Sequence, residues 1–219
     1  MFARSRVAST ALFFVLLFGG SAAARTPHTV FARVRLSVFN DAAVPSDTLA
    51  IAAARATFVF AQSGIELDWI DCGHPDPADF SPPATPCSAL AWPRQLSVRI
   101  LARGRSIHAD IFGQAFLDES GSGVYANVYY NNLSAHRVHA QPCSGEMLGL
   151  VIAHEVGHLL LGTNSHSSSG LMQPIWYASA LQTDFRHQLL FTAAESAILR
   201  ARLAVPPPLY ASSRRDLTM

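Results

Sequence analysis

A chain of 219 residues is long enough for one domain with a substantial core and short for two. Half of it is apolar and 14% is charged, which excludes the composition of a disordered chain. A formal charge of +1, with the arginines scattered and lysine absent, provides no basic surface for nucleic acid or an anionic membrane.

The N-terminus reads as an export signal. Arg4 and Arg6 form a positive start, Ala11 to Phe18 an apolar run, and Ala22-Ala23-Ala24 the small residues a signal peptidase needs. That run is too short for a permanent membrane span, which takes about 20 residues. The expectation is a signal at 1–24, a single secreted or periplasmic domain at 25–205, and a disordered tail at 206–219 after Pro206-Pro207-Pro208. Three cysteines remain in an oxidising compartment. Cys72 and Cys87 flank a proline-rich loop and are the expected disulfide, worth about 3 kcal/mol if unstrained. Cys143 is left as a free thiol or an alternative partner.

Alternating apolar and polar residues place a first strand at about Thr29 to Phe39. Pro45-Ser46-Asp47 opens a helix with Ser46 or Asp47 as its cap, and Gly64 ends it. Strands follow at Ile65 to Ile70 and Gln95 to Ala102. Asp110 to Leu117 and Gly123 to Asn131, joined by a Gly/Ser turn, form an antiparallel hairpin. A polar loop leads into a long, mostly buried helix from Ser144 to Leu161, ended by Gly162. A last helix begins at the capping box Thr192-Ala193-Ala194-Glu195 and runs to about Leu203.

Near the end of the long helix stands His154-Glu155-Val156-Gly157-His158. Residues four apart lie one above the other on a helix, so two imidazoles address one point. A catalytic zinc site takes three protein ligands and keeps one position open for water, and Glu155 stands beside it as a proton acceptor. Gly162 lets the chain turn back, which offers His166 as third ligand, with Asp184 or Glu195 as a distant alternative. His136 and His139 lie three apart on a polar loop without a carboxylate and read as surface residues.

With Gly170-Leu171-Met172-Gln173-Pro174 beyond the third histidine, the stretch from His154 to Pro174 resembles the metzincin clan of zinc endopeptidases, matrixin-like members in particular. The resemblance implies an α+β fold: a twisted mixed sheet with an antiparallel edge strand, packed on a long helix and an active-site helix, with a short C-terminal helical subdomain. It implies Met172 as the methionine beneath the metal. One departure stands out: three residues rather than two separate His158 from Gly162, and three separate Gly162 from His166. Cys72-Gly73-His74-Pro75-Asp76 resembles the matrixin cysteine switch but follows the first strand and helix, which favours the disulfide. Tyr177 is a poorly spaced oxyanion candidate and reads as packing.

The expected activity is zinc-dependent hydrolysis of peptide bonds with one zinc ion and Glu155 as general base. A protein or peptide substrate would lie extended along the strand from Ile111 to Phe116, on a monomer. The alternatives are a non-catalytic zinc-binding module that recognises a protein or cell-wall partner, and an amidase acting on peptidoglycan cross-links.

Overall fold

A computed structural model describes residues 30–73, 87–103, 111–135, 145–176 and 189–204. The expected signal, the loop at 74–86, His136, His139, Cys143, Tyr177, Asp184 and the tail lie outside the described residues. The elements in chain order are β1 (Ala32–Asn40), α1 (Ser46–Ala61), β2 (Ile65–Asp71), β3 (Gln95–Leu101), β4 (Gly113–Phe116), β5 (Tyr125–Tyr129), α2 (Tyr130–Ala135), α3 (Gly145–Leu161) and α4 (Ala193–Ala204).

The strands form one five-stranded sheet in the order β2-β1-β3-β5-β4. All neighbours are parallel except β4, which runs antiparallel to β5 at one edge. Alternation in the central strands sends Val34, Leu36 and Val38 into the core beside Leu96, Val98 and Ile100. Helix α1 covers this face with Ala52, Ala56, Val59 and Phe60, and α3 packs against α1, β4 and β5. The intervening positions of β1 and β2 carry cross-strand pairs, Arg33 with Glu66 and Arg35 with Asp68.

Three differences between expected and observed elements stand out. Pro45, not Ser46 or Asp47, holds the cap position of α1 and makes no side-chain cap bond. Asp47 lies inside the first turn, where its Oδ1 accepts from the Thr48 N–H at 2.7 Å and its charge complements the helix N-terminus. The edge strand starts at Gly113 rather than Asp110. Its partner β5 therefore has no strand to pair with beyond Tyr129, whose N–H donates to Phe112 O at 2.8 Å. The chain coils there into α2, which buries Leu133 and anchors Asn132 to Ile111 O, where a polar loop was expected. Cys72 and Cys87 form the expected disulfide, with Cα atoms 5.8 Å apart, so Cys72 is not a free thiol.

Candidate metal centre

Apolar residues on every side bury α3 almost completely, so the polar groups it carries are held away from bulk water. Three of them lie in its last turns: His154, Glu155 and His158. His154 Nδ1 donates to Leu171 O at 2.9 Å, and His158 Nδ1 donates to Thr163 O at 2.7 Å. Carbonyl oxygens only accept, so each neutral ring must carry its proton on Nδ1 and its lone pair on Nε2. The two Nε2 atoms then face each other at 3.0 Å. Burial lowers the His154 pKa to about 4, and burial lowers His158 as well, so protonation is a poor way to relieve that opposition. Two buried lone pairs aimed at one point fit a shared cation.

His166 completes the cluster. Its ring centroid is 5.0 Å from that of His158 and 5.4 Å from that of His154, and the three ligand atoms lie within 4.8 Å of one another. The lengthened turn that separates this chain from the metzincin spacing is accommodated in the loop. Gly162 takes φ +69°, and its N–H donates to His158 O at 2.9 Å, closing the helix with a left-handed cap. The extra length leaves Thr163 O directed at His158 Nδ1, while Ser165 N–H bonds Thr163 Oγ1 at 3.0 Å. Arg202 of α4 holds the same helix end: its guanidinium donates to Leu161 O and to Gly121 O, both at 3.0 Å.

Glu155 points the other way, towards the edge strand. Its carboxyl is buried and accepts from the Ala115 N–H, and burial raises its pKa to about 8. Gly113 makes room for it, since a Cβ there would lie 2.4 Å from Glu155 Oε1. A glycine inside a strand marks close approach, and that was the available signal for Gly113 in the sequence. Nothing in the pattern pointed to the Ala115 N–H. A cleft of about 510 Å³ runs between β4 and the loop beyond α3, lined in part by Gly113, Ala115, Tyr129, Glu155, Asn164 and His166.

Met172 is buried, and its sulfur would lie 2.8 Å from a Cβ at Gly157, so it packs beneath the turn between the two helical histidines. The adjacent Leu171 O accepts from His154 Nδ1 and also from Trp176 Nε1 at 3.0 Å. Trp176 escaped the sequence reading because only the tertiary turn brings it to His154. Glu195 is not brought to the cluster. Its Oε2 accepts from Thr192 N–H at 2.7 Å and its backbone N–H bonds Thr192 Oγ1, the capping box expected from the sequence, while Oε1 accepts from the Ser167 hydroxyl.

No known protein family and no curated protein matches the chain in sequence. Among solved structures it is similar to archaemetzincin from Methanopyrus kandleri, with a TM-score of 0.51 at 15% identity, covering 79% of this chain and 97% of that one. It is also similar to a zinc-dependent peptidase from Methanocorpusculum labreanum, with a TM-score of 0.47 at 16% identity over 75% of this chain and 99% of that one. Metalloproteinase-II from Bacteroides fragilis gives a TM-score of 0.48 at 16% identity over 83% of this chain and 56% of that one. At such identities the likeness is one of fold, and it rests on archaemetzincin. The five-stranded, mostly parallel sheet with its helices is therefore a fold shared with archaemetzincin.

Proposed function

We propose that the chain is a zinc-dependent endopeptidase, with His154, His158 and His166 holding one zinc ion and Glu155 acting as general base. The observation that carries this reading is the pair of Nε2 lone pairs opposed at 3.0 Å beside a buried carboxyl in an open cleft. Imidazole nitrogens suit zinc, and three protein ligands with an open position are the catalytic arrangement. Zinc, when bound, polarises a scissile carbonyl as a Lewis acid and makes water a nucleophile at neutral pH. Leu171 O and Thr163 O fix the tautomers of the two helical histidines and raise their basicity as ligands. The Glu155 carboxylate takes a proton from the attacking water and returns it to the leaving amine. The Ala115 N–H holds it in line with the cleft. Met172 supports the helix from below.

Edge strand β4 is the proposed seat of the substrate. Tyr129 N–H bonds Phe112 O, so in the antiparallel register Phe112, Gln114 and Phe116 direct their main-chain groups at β5. Gly113 and the Ala115 carbonyl direct theirs to the open edge, where an extended peptide adds as a strand beside Glu155, which keeps the Ala115 N–H. Export is proposed as well. Support comes from the N-terminal pattern of Arg4, Arg6 and the apolar run, and from the Cys72–Cys87 disulfide, which suits an oxidising compartment.

Glu155→Gln keeps the shape of the side chain and removes the base. The variant is expected to bind zinc like the wild type and to lose at least about 100-fold in hydrolysis of unfolded protein, the usual contribution of a general base. Undiminished hydrolysis by a clean, zinc-loaded preparation would exclude the mechanism. Zinc binding without hydrolysis by the wild type would leave a non-catalytic module.

A further inference from the structure

We propose that Glu195 does more than cap α4: through the Ser167 hydroxyl it positions His166, so that a C-terminal helix sets the affinity of the metal site. The inference rests on the zinc reading above. Of the three histidines, His166 is the exposed one and stands on a loop, so its place depends on what fixes that loop. Its neighbour Ser167 is fixed twice. The Ser167 N–H donates to Met172 O at 2.8 Å, and its hydroxyl donates to Glu195 Oε1.

A capping box needs only one carboxylate oxygen, and Oε2 fills that role on Thr192 N–H. Oε1 is thus spent on the histidine loop, and Glu195 is buried where the two meet. The helix that carries it is a firm mount. Ser196 meets Ser63 at 2.8 Å, Arg200 donates to Ser63 O, and Arg202 donates to the end of α3. A carboxylate on a fixed helix, bonded to the residue next to a ligand, is the arrangement by which an outer group orients a metal ligand. Glu195 and Ser167 are positioning residues; neither touches the metal point.

The test is zinc affinity, by chelator competition on the full chain, measured beside the melting temperature of the metal-free protein. Ser167→Ala keeps the α4 cap, and is expected to weaken zinc binding by about 10-fold or more, within the range for outer-shell partners, with a smaller fall in the metal-free melting temperature than Glu195→Ala. Ser167→Thr keeps a hydroxyl and is expected to restore most of the affinity. Glu195→Ala is expected to weaken zinc similarly and also to lower the melting temperature, and combining it with Ser167→Ala should add little further loss of zinc. Wild-type affinity in Ser167→Ala, beside tight binding by the wild type, overturns this inference alone. A wild-type chain that takes up no zinc overturns the metal reading and this inference with it.

Discussion

On α3, His154 and His158 stand one turn apart on a buried helix, whereas His166 stands exposed on the turn beyond Gly162. The helical pair is placed by periodicity, and each ring is locked by one main-chain carbonyl. The third histidine is placed by contacts that its loop makes elsewhere: Thr163 O with His158 on α3, and Ser167 with Met172 O on the following turn and Glu195 on the last helix. Helical ligands are pre-arranged by local geometry; the loop ligand depends on tertiary support. That difference makes the two halves of the site respond differently to change.

The largest effect is expected from removing a helical ligand. Zinc sites with four ligands are worth about 10–16 kcal/mol, so one ligand accounts for roughly 3–4 kcal/mol, or about 100- to 1000-fold in affinity. His154→Ala and His158→Ala should each lose at least that much, since what remains is one helical ligand and one on a loop. His166→Ala leaves the pre-arranged pair and should lose less. Equal losses for all three, measured by chelator competition, would break the contrast.

A smaller effect is expected at the junction. Gly162→Ala forces a side chain into a left-handed backbone and brings its Cβ to 2.1 Å from Arg202 Nη1. Denaturant unfolding of the metal-free protein should show a loss of about 1–3 kcal/mol. The loop should shift while the α3 pair stays in place, so zinc affinity should fall less than in either helical variant. A fall as deep as that of His158→Ala would show that the junction sets the helical pair too.

The last effect is a dependence on pH. Burial raises Glu155 from 4.5 to about 8, so folding favours its protonated form. Its stabilising contribution is present below the unfolded value of 4.5 and is lost as pH rises through about 8. His154 acts in the opposite sense: its folded value is lowered to about 4, so its contribution is present above 6.5 and lost as pH falls. Comparing metal-free wild type with Glu155→Gln cancels the histidine. The variant should gain in melting temperature over the wild type between pH 5 and pH 8, and a constant gap would contradict the buried carboxyl.

Legibility in the sequence followed the range of the forces. The four-residue spacing of His154 and His158, the glycine that ends α3, the capping box from Thr192 to Glu195 and the Cys72–Cys87 pairing are all local signals, and the structure shows each one. Sheet order, with β1 between β2 and β3, depends on pairing across long separations, and only the antiparallel hairpin was visible in the residues themselves. Helix α2 was missed because β5 loses its partner at the start of β4, a fact of register and not of propensity. The second bond of Glu195 was hidden for the same reason, since Ser167 is 28 residues away in the chain.

Leu171 O accepts from His154 and from Trp176, and the indole stands edge-on to the His154 ring at 5.6 Å between centroids. One main-chain oxygen is therefore common to the metal point and to a fluorophore. Of the chain's three tryptophans, Trp69 lies on β2 and Trp92 under Arg202, both apart from this oxygen. Emission from Trp176 is therefore expected to change when zinc occupies the proposed site, and Trp176→Phe, which keeps Trp69 and Trp92, is expected to lose that change.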